Sequence, residues 1–306
     1  MSYTLSIHGG AGTILRSQMS SEKETAYLAA LQDALRTGEK ILKAGGSALD
    51  AVCDTVICLE NNVLFNAGRG SVFTHLGTQE MDASIMDGKN RMAGAVAGVS
   101  GVRNPVLLAR KIMENTEHVF LSGAGAEEFA KIMKLPFESP EYFFDDFRYQ
   151  QWQSVKNSNT TILDHTDDRK FGTVGAAARD VHGNLAAATS TGGMTNKKFS
   201  RIGDTPLIGA GTYANNATCA VSCTGHGEFF MRGVVAYDIS CLMEYAGMSL
   251  REACNKVVMQ KLVDIGGEGG IIAVDAAGNA EMVFNSDGMY RGCVRENEPP
   301  VVAIYR

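Results

Sequence analysis

Two pairs of short strands, the first of them rich in small residues, constrain the fold of this chain more than any other feature. A glycine-containing turn joins each pair, one around Gly183 and the other around Gly278. The predicted strands span 173–178 and 185–190, then 270–274 and 280–284. Such runs, bounded by glycine and asparagine, are typical of β-hairpins. Helix-like segments precede and separate the hairpins. This order favours two antiparallel sheets packed together with helices outside over the alternating strand–helix units of a parallel sheet.

Helical spacing of apolar residues and helix start signals predict the helices. Ser21-x-x-Glu24 and Ser249-x-x-Glu252 both match a capping box. Pro105 stands in the first-turn position that helices favour. The predicted helices span 21–41, 47–59, 105–114, 126–133, 228–245 and 250–262. Residues 3–7 are predicted to form a short strand that enters a glycine-rich turn at 8–12.

Composition predicts one domain over residues 1–306. The chain is 45% hydrophobic and has 34 glycines against 6 prolines, which indicates a large core and many tight turns within one body. Residues 138–170 differ, because charged, amide and aromatic side chains crowd there without apolar periodicity. We predict an exposed, mobile connector at about 138–172.

Charge and targeting signals narrow the partners and the compartment. A net charge of −6 and a pI near 5.6 argue against nucleic acid and anionic membranes, and favour a small-molecule or peptide substrate. The N-terminus lacks a basic stretch followed by a long apolar run, and nowhere do about 18 apolar residues run together. The seven cysteines form no CxxC pair, which is typical of free thiols in a reducing cytosol. A cytoplasmic protein is expected.

The stretch Gly172-Thr173-Val174-Gly175 places a threonine behind a glycine at the start of a predicted strand. If the bond before Thr173 were cut, this residue would carry a hydroxyl nucleophile and a free α-amino group. A hydroxyl needs a neighbouring base near neutral pH, and an α-amine with a pKa of about 7.7–8.0 suits that task. One proteolytic event would therefore assemble a catalytic centre. The dipeptide alone is equally compatible with an ordinary strand start.

Other familiar chemistries lack their motifs. No GxGxxG or GxxxxGK[ST] phosphate loop occurs, and no GxSxG elbow accompanies the His8-Gly9-Gly10 stretch. The histidines and cysteines show no zinc-ligand clustering.

Hydroxyls, glycines and one charge pair follow Thr173. Strand pairing would bring Thr191 within reach of Thr173, where its hydroxyl could orient the nucleophile. Arg201 and Asp204 have a spacing suited to the carboxylate and ammonium of one amino-acid head group, although an ordinary surface ion pair is the alternative. The stretch 224–228 precedes a predicted helix, where backbone N–H groups can face a developing oxyanion; a glycine-rich N-cap is the alternative.

Seven motifs in order give a resemblance to a known family. They lie at 8–12, 64–68, 81–88, 172–175, 189–193, 201–204 and 224–228, and cover nearly the whole chain. Together they closely resemble the plant-type asparaginase and isoaspartyl aminopeptidase family of N-terminal nucleophile hydrolases. The resemblance implies an α+β fold, a four-layer αββα sandwich. It also implies a precursor that cleaves itself between Gly172 and Thr173 into chains 1–172 and 173–306, which assemble as a dimer of heterodimers.

The resemblance also implies roles for individual residues. Thr173 would be the nucleophile, Thr191 and Thr224 would assist it, and the backbone of Gly225 would complete the oxyanion site. The substrate-binding positions would be Arg201 for the α-carboxylate, Asp204 and Gly227 for the ammonium, together with Asn66 and Gly225. The expected substrates are β-aspartyl dipeptides and L-asparagine, whose side-chain amide would pass through a β-aspartyl ester to release L-aspartate. Nothing in the motifs ranks these substrates.

A structural sodium ion belongs to the same resemblance, whereas no cofactor is expected for catalysis. Backbone carbonyls of the loop 59–69 would wrap the ion, and oxygen-only ligation suits a hard cation. The ligands implied are Leu59, Glu60, Asn62, Phe65, Ala67 and Arg69.

Three alternatives remain open at this point. A glycosylasparaginase of the same fold class would also recognise an aspartyl head group, but resembles exported enzymes. A threonine endopeptidase of similar fold would not need Arg201 and Asp204 as anchors. An unprocessed, non-catalytic binding protein could retain the same pocket.

Overall fold

The computed structural model describes residues 2–156 and 172–306, and in them two β-sheets lie face to face. The strands are β1 Thr4–Gly12, β2 Met81–Asp87, β3 Ala93–Val99, β4 Phe120–Ser122, β5 Thr173–Arg179, β6 Leu185–Thr191, β7 Thr212–Ala214, β8 Cys219–Gly225, β9 Gly269–Asp275, β10 Ala280–Phe284, β11 Gly288–Arg295 and β12 Val301–Tyr305. The large sheet has the strand order β12-β11-β1-β5-β6-β2-β3-β4, and the small one β10-β9-β8-β7. Both predicted hairpins, β5–β6 and β9–β10, are confirmed.

Helices lie on the outer faces of the two sheets. They are α1 Ser21–Lys43, α2 Ala48–Glu60, α3 Pro105–Asn115, α4 Gly123–Ile132, α5 Pro140–Phe143, α6 Asp146–Val155, α7 Gly227–Gly233, α8 Val235–Ala246, α9 Leu250–Lys256 and α10 Leu262–Asp264, with a π-helical turn Val257–Lys261 joining the last two. Short 3₁₀ turns occupy Arg16–Gln18 and Gly68–Gly70. The Ser249–Glu252 capping box is present.

The side chains of β5 and β6 alternate between two cores, which explains how the sheets and helices form layers. Ala176 and Ala188 face the core under α1, α2 and α3, whereas Ala177 and Ala187 face the second core, which includes residues of the small sheet. Successive side chains of a strand point to opposite faces, so each strand serves both cores. Alanine on the inner face lets the sheets approach closely. The result is the predicted α+β sandwich of helix, sheet, sheet and helix.

Several sequence predictions were wrong in detail near the N-terminus. β1 does not end at residue 7 but continues through the glycines to Gly12, with a bulge between His8 and Gly10. Gly9 is needed there for close packing, because a Cβ would lie 2.4 Å from the Phe65 ring. The cap of α1 is Ser20, which accepts a hydrogen bond from the Lys23 backbone N–H, and Ser21 is the first helical residue.

Further differences concern the helix at 228–245 and the strand pairing. The helix breaks at Val234, which has a left-handed φ of 47°. The N–H groups of Ala236 and Tyr237, at the start of α8, bond to carbonyls of residues 209–210, so the chain turns there to meet that loop. β3 and β4 run parallel, because α3 carries the chain back across the sheet between them.

Strands β2–β4, β7, β8, β11 and β12 were absent from the sequence predictions. Most of β2 and β8 is buried, including the polar residues Asp82, Ser84, Ser222 and Thr224. The alternation of apolar and polar residues over Met81-Asp82-Ala83-Ser84-Ile85 is a strand signal that could have identified β2.

Residues 138–156 of the predicted connector are not irregular, because they contain α5 and α6. Most of their side chains are exposed or half-buried, but Phe143 and Trp152 are buried. Trp152 stacks on Phe73 with ring centroids 5.7 Å apart, and Tyr149 and Phe144 complete the aromatic cluster. Aromatic burial therefore outweighs the polar composition. The rest of the predicted connector, 157–171, lies outside the described residues.

None of the helices in the described ranges is long and apolar enough to cross a membrane. The cysteines at positions 53, 58, 219, 223, 241, 254 and 293 are all free thiols.

Candidate active site

Thr173 is the first residue of β5, in the middle of the large sheet, and is paired with Thr191 at the end of β6. The Thr173 hydroxyl lies 3.3 Å from the Thr191 hydroxyl, which donates to the Gly172 carbonyl oxygen at 3.1 Å. The backbone N–H of Gly193 donates to Thr191 Oγ1 at 3.0 Å and fixes it from the other side. The predicted proximity of Thr173 and Thr191 is confirmed. One hydroxyl thus contacts both the candidate nucleophile and the carbonyl of the bond to be cut.

Asn66 lies against Gly172, and its side chain is held by the backbone. Its Nδ2 donates to the Gly193 carbonyl at 2.7 Å, and its Oδ1 accepts from the Val72 N–H at 3.0 Å. A Cβ on Gly172 would come within 2.2 Å of the Asn66 Cβ. Only glycine therefore fits before Thr173 without a shift of Asn66.

Arg201 does not pair with Asp204, so the alternative of a surface ion pair between these two residues is wrong. Instead its guanidinium binds the Glu228 carboxylate in a bidentate manner, with N–O distances of 2.7 Å and 2.6 Å. Bidentate pairing of this kind is how arginine recognises a carboxylate. The His226 ring also contacts Glu228, at 3.1 Å. The guanidinium already holds a carboxylate supplied by the chain itself.

Asp204 is buried beside this pair. Its Oδ2 has no hydrogen-bond partner among the described residues, and burial raises the pKa of its carboxyl to about 7. A buried carboxylate oxygen without a partner is costly unless a ligand completes it. Gly227 closes the same corner, since a Cβ there would lie 2.9 Å from both Arg201 Nη2 and Asp204 Oδ1.

Gly225 ends β8 and lines the same cleft, whereas Thr224 lies behind it. The Thr224 hydroxyl is fully buried and has no partner within the described part of the chain. Gly225 has a φ of 156°, and a Cβ on it would clash with the Glu268 carbonyl oxygen at 2.5 Å.

The cleft collects most of the predicted site residues into one place. Its volume of about 20 Å³ holds no more than a single water molecule. It is lined by Gly172, Thr173, Thr191, Gly193, Met194, Arg201, Gly203, Asp204, Thr205, Gly225 and Gly227. Asn66 and Thr224 support the lining from behind. With Gly172 still attached and Glu228 on Arg201, an aspartyl substrate has no room.

Three contacts of this site were missed by sequence reasoning. Glu228 lies in the motif at 224–228, but the sequence does not predict it as the partner of Arg201. The sequence predicts His8 only as part of a glycine-rich turn, yet its ring contacts the Thr173 carbonyl at 3.0 Å. Ser222 contacts the other ring nitrogen of His8, at 2.8 Å. The signal for Ser222 was weak, because β8 itself was not predicted.

The loop 59–69 has the donor chemistry expected for sodium. A Cβ on Gly68 would lie 2.5 Å from the Glu60 carbonyl oxygen, and one on Gly70 would lie 2.0 Å from that of Phe65. The two glycines therefore allow the chain to pack closely against these backbone carbonyls, and oxygen donors of this kind suit a hard cation. The described residues contain no group of three or more His, Cys, Asp or Glu side chains placed to hold a metal.

The comparison with protein families decides the relationship. The family model described as asparaginase matches residues 1–304. The chain belongs to the asparaginase family. The predicted resemblance is thereby confirmed over practically the whole chain.

Relatives within the asparaginase family carry informative names. An isoaspartyl peptidase of Escherichia coli (strain K12) is 53% identical over 307 aligned residues, covering 99% of this chain and 96% of that protein. An isoaspartyl peptidase of Salmonella typhimurium is 54% identical, with 99% and 98% covered. A plant-type L-asparaginase of Pyrococcus horikoshii is 42% identical, with 92% and 93% covered.

Proposed function

We propose that this protein cleaves itself between Gly172 and Thr173 and then hydrolyses β-aspartyl dipeptides and L-asparagine, releasing L-aspartate. One observation carries the proposal: Thr191 Oγ1 bridges the Thr173 hydroxyl and the Gly172 carbonyl oxygen. The candidate nucleophile and the scissile carbonyl thus share one hydroxyl partner in the uncut chain. The names of the relatives support the substrate class.

In the self-cleavage step, Thr173 Oγ attacks the Gly172 carbonyl carbon. The peptide C–N bond breaks as an ester forms between Gly172 and the Thr173 oxygen, and the former amide nitrogen becomes the α-amine of Thr173. Water then hydrolyses the ester, which leaves a carboxylate on Gly172 and a free hydroxyl on Thr173. Thr191 polarises the Gly172 carbonyl by donating to its oxygen.

In substrate hydrolysis, the same oxygen attacks the side-chain carbonyl carbon of the aspartyl unit. The Thr173 α-amine accepts the hydroxyl proton and passes one to the leaving amine, so that ammonia or an amino acid departs. Water hydrolyses the β-aspartyl ester. The Gly225 backbone and Thr224 stabilise the oxyanion, Asp204 and Gly227 hold the ammonium, and Arg201 exchanges Glu228 for the substrate carboxylate.

The convergence of Arg201, Asp204 and Gly227 on the cleft favours a free amino-acid head group over the internal peptide bonds of an endopeptidase. A matched pair of dipeptides tests this. β-Aspartyl-leucine keeps a free α-carboxylate on the aspartyl unit, whereas α-aspartyl-leucine has that group in the peptide bond. We expect aspartate release only from the β isomer and from L-asparagine. Equal turnover of both isomers would contradict the proposed anchors.

We propose that the loop 59–69 binds a structural sodium ion through the carbonyls of Leu59, Glu60, Asn62, Phe65, Ala67 and Arg69. The ion would hold the loop 59–69, which carries Asn66. Replacing sodium chloride by choline chloride at the same ionic strength should lower the Tm, and Gly70→Ala, which crowds the Phe65 carbonyl, should abolish that difference. An identical Tm in both salts for the natural chain would contradict the site.

We also propose that the cut chains assemble as a dimer of heterodimers in the cytoplasm. The free cysteines favour a reducing compartment. Light scattering of the matured protein measures the assembly directly. A mass of two copies of the 32.7 kDa chain is expected, and a mass of one copy would contradict it.

A further inference from the structure

A chain of buried polar groups runs from beneath Thr173 across to the small sheet. His8 of β1, Ser222 of β8, Thr189 of β6, Thr212 of β7 and Ser84 of β2 are fully buried. The His8 ring contacts Ser222 at 2.8 Å, Ser222 contacts Thr189 at 2.7 Å, Thr189 contacts Thr212, and Thr212 contacts Ser84 at 2.8 Å. Five strands from both sheets thus meet in one network, within an otherwise largely apolar interior.

The chemistry of the groups determines which atoms donate and which accept in the two hydrogen bonds of His8. The Thr173 carbonyl oxygen can only accept, so His8 Nδ1 carries the proton and donates at 3.0 Å. Burial lowers the pKa of His8 to about 3, so the ring is neutral and Nε2 is an acceptor. The Ser222 hydroxyl therefore donates to Nε2. Because of this bond, the tautomer that donates to Thr173 is the favoured one.

Strand pairing explains why a side chain is needed at this point. β1 pairs with β5 from Arg179 as far as Gly175, where His8 is the last partner, and then bulges between His8 and Gly10. Thr173 therefore has no paired residue on β1. The His8 imidazole therefore donates to the Thr173 carbonyl beyond the point where the backbone pairing of β1 with β5 ends.

Gly175 makes the arrangement possible. A Cβ at this position would lie 2.0 Å from Ser222 Oγ and 2.5 Å from His8 Nε2. Any larger residue would therefore fill the space where the hydroxyl meets the ring. This contact explains why the second glycine of Gly172-Thr173-Val174-Gly175 has no side chain, which the assignment of Thr173 as the nucleophile does not explain.

We infer that His8, held by Ser222, is a positioning residue for the nucleophile: it anchors the backbone carbonyl of Thr173 and so sets where the hydroxyl and the α-amine lie. It touches neither substrate nor reacting atoms. Small misplacements of a nucleophile cost up to about 100-fold in rate. The inference rests on the proposed function: its effect on the cleavage rate rests on the proposed self-cleavage, and its effect on turnover rests on the proposed hydrolysis.

Two matched pairs of variants test the inference. His8→Asn keeps a side-chain N–H near the position of Nδ1, whereas His8→Leu, of similar size, has none. Ser222→Ala removes the donor to His8, whereas Ser84→Ala removes a buried hydroxyl at the far end of the same network. The readouts are the rate of self-cleavage by intact mass, kcat and KM of the matured protein, and Tm.

We expect His8→Leu and Ser222→Ala to slow self-cleavage and lower kcat by about 10- to 100-fold while KM stays within about two-fold. His8→Asn should restore most of the loss seen in His8→Leu, and Ser84→Ala should match the natural chain in rate despite a lower Tm. Equal rates for the Asn and Leu variants, or equal losses for Ser222→Ala and Ser84→Ala, would overturn the inference and leave a structural role. If His8→Leu does not fold, the comparison of Ser222→Ala with Ser84→Ala tests the inference by itself.

The outcome is separable from a failure of the proposed function. A natural chain that cleaves itself but releases no aspartate would overturn the substrate proposal. The self-cleavage rates of the four variants would still measure the role of His8.

Discussion

At the residue scale, Gly172 is confined by the Asn66 side chain. The added methyl group of Gly172→Ala would lie 2.2 Å from the Asn66 Cβ, so residue 172 or Asn66 must shift. We expect self-cleavage to slow by at least about 10-fold, because such a shift disturbs the hydrogen bond from Thr191 to the carbonyl of residue 172.

Gly125→Ala is the matched control for Gly172→Ala. Gly125 lies in α4, and an added Cβ would have no neighbour within 4 Å. Intact mass at timed intervals measures both variants. A Gly172→Ala chain that matures as fast as the Gly125→Ala chain would show that the contact with Asn66 does not constrain the cleavage site.

Asp204 is expected to destabilise the uncut protein as it ionises. Burial raises the pKa of its carboxyl from 3.8 to about 7, so the folded chain binds a proton that the unfolded chain has already lost. The stability linked to this proton is fully present below about pH 4 and is lost as pH rises through about 7. Asp204→Asn removes the titration.

We therefore expect Asp204→Asn to raise the Tm by several degrees at pH 8 and by much less at pH 5. Both proteins should carry Thr173→Ala, which keeps the chains uncut and comparable. Thermal unfolding followed by circular dichroism measures the difference. An equal Tm difference at the two pH values would contradict a raised pKa in the folded chain.

At the scale of elements, α6 is held by aromatic packing. Trp152 is 5% exposed and stacks on Phe73. Truncating a buried tryptophan typically costs about 3–5 kcal/mol, and here the loss should appear as local opening, because the cluster lies apart from the two main cores. We expect Trp152→Ala to speed hydrogen exchange across 140–156, and Trp152→Phe, which keeps a ring, to do so less.

Hydrogen-exchange mass spectrometry after brief labelling measures this opening. The strands β5 and β6 serve as the internal reference, because they lie in the sheet core. Protection of 140–156 that is unchanged in Trp152→Ala would contradict the role assigned to the cluster.

The same segment shows why some elements could not be predicted from the sequence. Residues 138–156 are polar in composition, and Trp152 is buried by contacts with residues distant in sequence, such as Phe73 and Gly77. Strand β2 does carry a local signal, the apolar–polar alternation of Met81-Asp82-Ala83-Ser84-Ile85, which could have identified it. The hairpins β5–β6 and β9–β10 were predictable because their signals are local: short runs of apolar residues joined by turns that contain glycine and asparagine.

The site residues also differ in whether local sequence signals could predict their positions. Thr173 and Thr191 were predictable because a hairpin register fixes their distance. Asp204 and Gly227 were brought together by contacts that only the motif order suggested. The partner of Arg201 was not predictable, since the choice between Asp204 and Glu228 depends on how α7 meets the loop before β7. His8 and Ser222 meet across two sheets that share no local signal.

At the scale of the whole molecule, residues of both sheets lie around the Gly172–Thr173 bond. β5 begins at Thr173, the large sheet supplies Thr191, and the end of β8 in the small sheet supplies Gly225. The cleft is nearly filled while the chain is uncut. The fold therefore favours cleavage of its own bond first and access of a substrate afterwards.

Intact mass under denaturing conditions, followed over time from fresh purification, tests this account most directly. We expect the natural chain to give two fragments, 1–172 and 173–306, with aspartate release from β-aspartyl-leucine rising in step with the fragments. Thr173→Ala should stay a single inactive chain. An uncut natural chain that hydrolyses the dipeptide at full rate, or a Thr173→Ala chain cut at the same bond, would contradict the account.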